Sequence, residues 1–277
     1  MSPTFTKRIA GRPAGTFILF LLTFTAAACT GPPGGRGPVQ LRFAQSASPH
    51  FDMEILRVTA ESASRSYVKL VVMNVVMNQA SPRRNRGHEP GPEIITGASG
   101  VIVDPAGYVV TAAHIAKSTS LEARVTTVDG RVYPARILKV DAERELALLQ
   151  IEGTGTRFAA VRPASGARRN QPVFAIGTPG NRPGAVSVGH VTDPALGRRV
   201  GYGEYGFQGP IQLALRVEPG HSGGPVFDMD GELVGMIFAF DLENRDGEYV
   251  NTGAAYAIPA RDVMRFILEH SPGSGNF

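Results

Sequence analysis

The stretch EPGHSGGPVFDMDGELVG, residues 218–235, places Ser222 in a turn between Gly220 and the pair Gly223-Gly224. Glycine adopts backbone conformations that other residues avoid, so a serine among glycines can present its hydroxyl at the end of a sharp turn. Such a serine is a candidate nucleophile. The pattern G-x-S-x-G occurs in enzymes of unrelated fold, and the residues after Ser222 distinguish between them.

The residues after Ser222 predict a β-hairpin. In GPVFDMDGELVGMIFAF, residues 224–240, two β-prone runs are joined by the turn sequence Met229-Asp230-Gly231. The nucleophile elbow of α/β-hydrolases needs a helix directly after its serine, and the histidine of that triad comes last in the chain. Only His270, close to the end of the chain, could take that role. The α/β-hydrolase interpretation is therefore excluded, and the G-x-S-G-G motif of chymotrypsin-like serine proteases remains.

Short β-prone runs separated by Asp-Pro, Asp-Gly and Pro-Gly turns recur along the chain. Helical spacing is clear only in residues 260–270, and a second short helix is expected near residues 59–66. Because helices do not alternate with the strands, we predict an all-β fold, a sandwich or a pair of barrels, with residues 153–171 between its halves. The runs are 66–77, 96–114, 124–140, 146–152, 172–178, 185–193, 211–217, 224–240 and 253–259.

Two upstream segments supply partners for the serine. VVTAAHIA, residues 109–116, places His114 at the end of a strand, and VDAERELALLQI, residues 140–151, places Asp141 and Glu145 before the next one. The order histidine, acid, serine is typical of a triad in which the histidine takes the serine proton and the carboxylate fixes the histidine tautomer. Backbone N–H groups then receive the oxyanion.

These segments resemble the HtrA/DegP-like branch of the chymotrypsin-fold serine proteases. Six blocks in the order and spacing of that family are far more specific than a single motif. The resemblance implies two packed six-stranded antiparallel β-barrels, about residues 59–155 and 170–259, and a protease domain over residues 59–270 that closes with a short C-terminal helix. The blocks are SGVIVDPAGYVVTAAH, DAERELALLQI, FAIGTPGN, SVGHVTDPALGR, IQLALRVEPGHSGGPVFD and GAAYAIPARDV.

The same resemblance assigns catalytic roles. It makes His114 the general base and Ser222 the nucleophile, and it implies that the N–H groups of Gly220 and Ser222 form the oxyanion hole. Glu145 stands where the family has its triad aspartate, so its longer side chain requires a shift of backbone or rotamer. We assign Glu145 as the orienting acid, and Asp141 remains the alternative.

The resemblance also indicates where a polypeptide substrate binds. Met236, Ile237 and Phe238 are expected on the strand whose edge pairs with the substrate backbone. Arg216 lies six residues before Ser222, where related proteases place residues near the base of the specificity pocket. Inside the pocket it would favour an acidic residue before the scissile bond, whereas in solvent it would have no such role.

Two further departures from the family concern the oxyanion loop and the C-terminus. His221 stands where the family usually has asparagine, which predicts a change in rate or in loop stability. The chain ends at Phe277, so residues 271–277 form a tail and the PDZ domains of typical family members are expected to be absent.

Residues 1–28 resemble an export signal, with a basic start and the apolar run TFILFLLTFTAAAC that ends at Cys29. Cys29 follows three alanines, as in a bacterial lipobox, although Ala26 stands where leucine is usual. We predict that Cys29 is lipidated and holds the protein at a membrane of the bacterial envelope, in the periplasm or at the cell surface. An ordinary cleavage site followed by an unmodified cysteine is the alternative.

Residues 29–58 are predicted to be a tether and N-terminal segment that precedes the protease domain. The part that spans residues 43–58 is the candidate for the homo-trimer contacts that the resemblance implies. A single cysteine in the whole chain excludes an intramolecular disulfide.

Charge and composition argue against other partners. The net charge is +4, and residues 1–28 carry three positive and no negative charges, so nothing suggests nucleic-acid binding. No histidine lies at metal-ligand spacing, and neither a cofactor nor a metal is expected.

The sequence thus predicts an exported serine endopeptidase that cleaves unfolded or extended polypeptides through an acyl-enzyme. The alternative is a catalytically weak or inactive homologue that binds peptides at the cell surface.

Overall fold

The computed structural model describes residues 38–43, 51–74, 93–153, 155, 157–245 and 247–271. The predicted signal, Cys29 and the tail after residue 271 lie outside the described residues, as do residues 44–50 of the candidate trimer segment. Among the helices in the described part of the chain, none is both long and apolar enough to cross a membrane.

The first half of the described chain forms a closed six-stranded antiparallel barrel, preceded by the short strand β1 (Arg42–Phe43) and the helix α1 (Met53–Ala63). A four-residue helix, α2 (Ala113–Ala116), follows the third barrel strand. The barrel strands are β2 (Tyr67–Asn74), β3 (Glu93–Ile102), β4 (Tyr108–Ala112), β5 (Glu122–Thr127), β6 (Val132–Asp141) and β7 (Leu146–Ile151). Around the barrel they follow the order β2-β3-β4-β7-β6-β5.

The second half forms another six-stranded barrel, which closes through pairing of its first two strands. Its strands are β8 (Pro172–Gly177), β9 (Ala185–Asp193), β12 (Ile211–Leu215), β13 (Pro225–Phe227), β14 (Leu233–Arg245) and β15 (Glu248–Pro259). Between β9 and β12 a separate two-stranded ribbon is formed by β10 (Arg199–Tyr202) and β11 (Tyr205–Gln208). Strand β1 pairs in parallel with β9 outside the ring. The prediction of two six-stranded antiparallel barrels is confirmed.

Helix α1 begins at Met53, before the short helix expected near residues 59–66. The cause is Asp52, whose carboxylate accepts hydrogen bonds from the N–H groups of the second and third helical residues, at 2.9 and 3.2 Å. An aspartate at this position stabilises a helix start. Leu56 and Ala60, one turn apart, form the buried face. The helix therefore starts inside the segment that the sequence assigned to the tether.

The C-terminal helix α3 (Ala260–His270) has the boundaries that its apolar spacing predicted. Its buried residues Val263, Phe266 and Ile267 lie on one face. That face packs against β7 of the first barrel and β14 of the second. The helix therefore bridges the two barrels.

One buried hydrophobic cluster runs through both barrels and includes Tyr67 and Leu148 of the first and Phe174 and Phe227 of the second. A second cluster lies within the second barrel alone. Because protein interiors are close-packed, a core shared by two barrels fixes one against the other. Loops that end at the junction of the barrels therefore have fixed relative positions.

Candidate active site

The histidine and the serine of the predicted triad come from different barrels. His114 lies in α2, directly after β4, and is 8% exposed. Ser222 lies in the loop between β12 and β13 and is partly exposed. This loop is bound to the first barrel, because the N–H of Ser99 in β3 donates to the carbonyl of Ser222 at 3.1 Å. Both candidate residues thus lie where the barrels meet.

Glu145 contacts the imidazole of His114, with Oε1 of the carboxylate in hydrogen-bond contact with Nδ1 of the ring. The carboxylate is almost fully buried, at 1% exposure. The backbone of Glu145 has a φ of +56°, a left-handed conformation that ends the turn before β7. Its carbonyl accepts the N–H of Ala113 at 3.2 Å, which ties the acid to the helix that carries the histidine. This unusual backbone conformation places the longer glutamate side chain at Nδ1.

Asp141, the alternative acid, belongs to a different group of charges. Its carboxylate accepts the backbone N–H of Arg144 at 3.0 Å and the guanidinium Nε of Arg144 at 2.7 Å. The same guanidinium donates to Glu269 of helix α3 at 2.6 Å. Burial alone would raise the pKa of Asp141, but the hydrogen bonds and the positive charge of Arg144 outweigh it and lower that pKa. Of the two carboxylates, Glu145 is the one that contacts His114.

The loop from Gly220 to Gly224 turns sharply, with a φ of +106° at Gly220. A Cβ at Gly220 would lie 2.3 Å from the carbonyl oxygen of Thr178, so only glycine fits. The carbonyl of His221 accepts the N–H of Gly224 at 2.8 Å. Within the described residues, the N–H groups of Gly220 and Ser222 donate to no protein atom. Two unpaired donors two residues apart are what an oxyanion hole requires.

His221 is the buried residue of this loop, at 3% exposure. Its ring packs on Gly177 so closely that a Cβ there would lie 2.5 Å from the imidazole. Nδ1 of the ring is 3.1 Å from the carbonyl oxygen of Glu218, and Nε2 is 3.4 Å from the hydroxyl of Ser187. Burial lowers the pKa of His221, and the carbonyl and charge of Glu218 offset this only in part. The neutral imidazole is therefore the form that fits the fold.

His221 should make the folded protein sensitive to acid. Because its pKa is lowered in the folded state, the unfolded chain binds the proton first as the pH falls below about 6.5. The free energy of unfolding should then fall by up to about 1.4 kcal/mol per pH unit until the folded-state pKa is reached. Urea unfolding of His221→Asn across this range should show a flatter pH dependence than the wild type.

The matched control is His190→Asn, which removes an exposed histidine of β9 and should leave the pH dependence unchanged. Equal pH dependence of the wild type and His221→Asn would show that His221 does not contribute to the acid sensitivity.

The predicted substrate-binding residues lie around β14 and before residues 220–224, which we call the nucleophile loop because Ser222 is the predicted nucleophile. Arg216 is exposed. Met236, Ile237 and Phe238 are buried, so their side chains belong to the core. The backbone of Ile237 pairs with the nucleophile loop, and beyond it β14 pairs with β15 along one edge. On the other edge of β14, from Phe238 onward, no strand of the described chain pairs with it.

Tyr205 is a site residue that the sequence did not reveal. Its ring meets His114 edge to face, with ring centroids 6.4 Å apart and an interplanar angle of 74°. It lies in β11, and the N–H of Gly206 donates to the carbonyl of Ala142 at 3.2 Å, which joins the ribbon to the first barrel. The alternating apolar residues around the glycines of residues 199–208 are the signal that could have predicted this ribbon.

Comparisons with known proteins match this chain to peptidases. Residues 98–236 match the family described as the trypsin-like peptidase domain. A probable periplasmic serine endoprotease, DegP-like, of Brucella suis is 31% identical over 195 residues, 69% of this chain and 36% of that protein. The DegP-like protein of Chlamydia pneumoniae is 30% identical over 61% of this chain and 33% of its own length. Serine protease PepD of Mycobacterium tuberculosis is 31% identical over 62% of this chain and 40% of its own length.

Proposed function

The chain belongs to the trypsin-like peptidase family, and from this membership we propose that it is a serine endopeptidase that acts in the bacterial cell envelope. It spans about a third of the length of the curated DegP-like relatives that it matches. The observation that carries the proposal is the contact of buried Glu145 with Nδ1 of His114. The nucleophile loop adds two N–H donors that bond to no atom of the described residues.

In the proposed reaction, His114 is the general base and Ser222 the nucleophile. Glu145 holds a proton on Nδ1 of the histidine, so Nε2 is the ring atom that accepts the hydroxyl proton as Oγ attacks the scissile carbonyl. The resulting oxyanion accepts hydrogen bonds from the N–H groups of Gly220 and Ser222. The imidazolium then gives its proton to the leaving amine, which leaves an ester on Ser222. Water, activated by the same histidine, hydrolyses this ester and regenerates the serine.

The proposed substrate is an unfolded or extended polypeptide. The outer part of β14, from Phe238 onward, offers backbone N–H and C=O groups along the edge that the described strands leave unpaired. An extended segment can add to such an edge as a further strand, which selects for conformation more than for sequence. Because Arg216 is exposed, we do not propose a preference for an acidic residue before the scissile bond.

We further propose that the protein is exported and anchored through a lipid on Cys29. Two features support this: the signal-like residues 1–28 and the DegP-like relatives whose names describe them as periplasmic. In a bacterial host, the full chain should incorporate labelled palmitate, and Cys29→Ser should not. Equal incorporation by both chains, or none by the wild type, would contradict lipidation at Cys29.

Labelling with a fluorophosphonate tests the proposed activity. The reagent phosphonylates an activated serine, so the folded full chain should carry one adduct, which peptide mass spectrometry should locate at Ser222. Casein should be degraded in parallel, and its cleavage sites give the preferred sequence. A folded protein without an adduct or casein cleavage would overturn the hydrolase proposal, and it would favour the inactive peptide-binding homologue.

A further inference from the structure

Three hydroxyl side chains form a buried line across the junction of the barrels. Tyr67 of β2 and Ser99 of β3 belong to the first barrel and are 0% exposed, and Thr178, directly after β8, is 2% exposed. The Tyr67 hydroxyl contacts Oγ1 of Thr178, which lies 3.3 Å from Oγ of Ser99. Oγ of Ser99 donates to the carbonyl of Gly220 at 2.7 Å. The line therefore ends on the nucleophile loop.

The proton positions along this line follow from its two ends. Oγ of Ser99 has one proton and gives it to the Gly220 carbonyl, so at its contact with Thr178 it must accept. Thr178 then gives its proton to Ser99 and accepts from Tyr67, whose single proton is shared between Thr178 and the carbonyl oxygen of Gly177 at 3.2 Å. Burial, the largest effect, raises the pKa of Tyr67 above its usual value, so the phenol keeps the proton that it donates. The protons of Thr178 and Ser99 therefore point toward the loop, and hydrogen bonds aligned in this way strengthen one another.

Ser99 holds the nucleophile loop at two carbonyls. Besides its hydroxyl bond to Gly220, its backbone N–H donates to the carbonyl of Ser222 at 3.1 Å. The Gly220 carbonyl also accepts the N–H of Thr178 at 3.1 Å. The Gly220–His221 peptide joins the two peptide planes that carry the unpaired N–H groups. Since each peptide unit is planar, fixing its carbonyl limits the rotation of the donors on either side.

We propose that Ser99 is a positioning residue for the oxyanion hole, and that the hydroxyls of Thr178 and Tyr67 polarise its hydrogen bond. The first barrel thus contributes to the site a residue that sets the direction of the N–H donors of the second barrel. This inference rests on the proposed hydrolase function for its kinetic consequence, whereas the order of the loop can be measured without activity.

Steady-state kinetics of Ser99→Ala in the full chain test the proposal, with a peptide taken from a casein cleavage site as substrate. Loss of one oxyanion donor lowers kcat about 10²- to 10³-fold. In Ser99→Ala both donors remain but are less well directed, so the effect should be smaller. We expect about a tenfold fall in kcat with KM unchanged. The inhibition constant of a peptide boronic acid of the same sequence should rise by the same factor, because its tetrahedral adduct places an oxygen in the oxyanion hole. Tyr67→Phe keeps the Ser99 donor and should lower kcat less, about threefold.

The matched control is Ser64→Ala, which removes another buried hydroxyl, at 3% exposure, that donates to a single carbonyl at 2.8 Å. It lies at the end of α1, away from the nucleophile loop. It should lower the melting temperature as Ser99→Ala does, and it should leave kcat and the boronic acid inhibition constant unchanged. Equal kinetic effects of Ser64→Ala and Ser99→Ala would overturn the proposal, and so would unchanged kinetics of both Ser99→Ala and Tyr67→Phe.

Hydrogen exchange separates this proposal from the proposed function. Peptides that cover residues 218–224 should exchange faster in Ser99→Ala than in the wild type, and Ser64→Ala should match the wild type. If the wild type neither cleaves casein nor binds the boronic acid, the hydrolase function fails, and exchange alone decides whether Ser99 positions the loop. Unchanged exchange in Ser99→Ala would overturn the inference whatever the activity.

Discussion

Ser222→Ala should lower kcat/KM for a peptide substrate by about 10⁶-fold, close to the loss seen when a triad serine or histidine is removed. No other hydroxyl replaces Oγ as the atom that forms the acyl-enzyme. Ser222 is partly exposed, and its replacement by alanine removes one hydroxyl group and leaves no large cavity. We therefore expect a free energy of unfolding within about 0.5 kcal/mol of the wild type, a change typical of substitutions that remove no buried contact. Hydrolysis of the casein-derived peptide measures the rate, and urea unfolding measures the stability.

Two further variants make this result specific. Ser120→Ala removes an exposed serine and should retain full activity. The double variant Ser222→Ala/His114→Ala should be no slower than Ser222→Ala alone, because the two side chains act as one unit and their losses do not add. Retention of more than about a hundredth of the activity in Ser222→Ala would identify a different nucleophile, since loss of a true triad serine leaves far less.

The strands were predictable because turns and periodicity mark them. The sequence placed β9 at residues 185–193 and α3 at residues 260–270, and the structure has both with those bounds. In each, the turn or proline that ends the neighbouring element is visible in the sequence. The closed barrels themselves came from the family resemblance, because the pairing of distant strands leaves no local signal.

The ribbon of β10 and β11 was missed because glycines and arginines interrupt its apolar pattern. Its stability comes from contacts that are remote in sequence, such as burial of Val200 and Phe207 in the shared core. The buried line of hydroxyls formed by Tyr67, Ser99 and Thr178 was missed for a related reason. In the sequence these three residues look like ordinary residues in or next to strands, and only folding brings them together.

Which of the two carboxylates contacts His114 also depended on the fold. Asp141 and Glu145 lie four residues apart before the same strand, and the sequence offers both. The turn that connects them directs Asp141 to Arg144 and Glu145 to His114. A left-handed backbone at a glutamate cannot be inferred from composition, because that conformation is uncommon for residues other than glycine, asparagine and aspartate.

Glu145→Gln should lower kcat/KM by about 10⁴-fold, the loss expected when the triad carboxylate becomes an amide. An amide can donate its N–H to Nδ1 of His114, which favours the tautomer with the proton on Nε2, the atom that must accept the serine proton. The carboxylate, which only accepts, enforces the opposite tautomer and stabilises the imidazolium. Glu143→Gln, an exposed neighbour in the same turn, is the matched control and should keep full activity.

Glu145→Asp distinguishes the role of the charge from that of its position. Aspartate tolerates the left-handed backbone and keeps the charge, but it withdraws the carboxylate from Nδ1 by one methylene. A misplacement of about 1 Å can lower a rate about 10²-fold, so the activity of Glu145→Asp should lie between those of the wild type and Glu145→Gln.

Asp141→Asn should leave kcat nearly unchanged, because the Asp141 carboxylate binds Arg144 and not the histidine. Full activity in Glu145→Gln, together with a collapse of activity in Asp141→Asn, would transfer the orienting role to Asp141. Wild-type activity in Glu145→Asp would instead show that the loop adjusts to either acid, so that the family's aspartate and this chain's glutamate are interchangeable here.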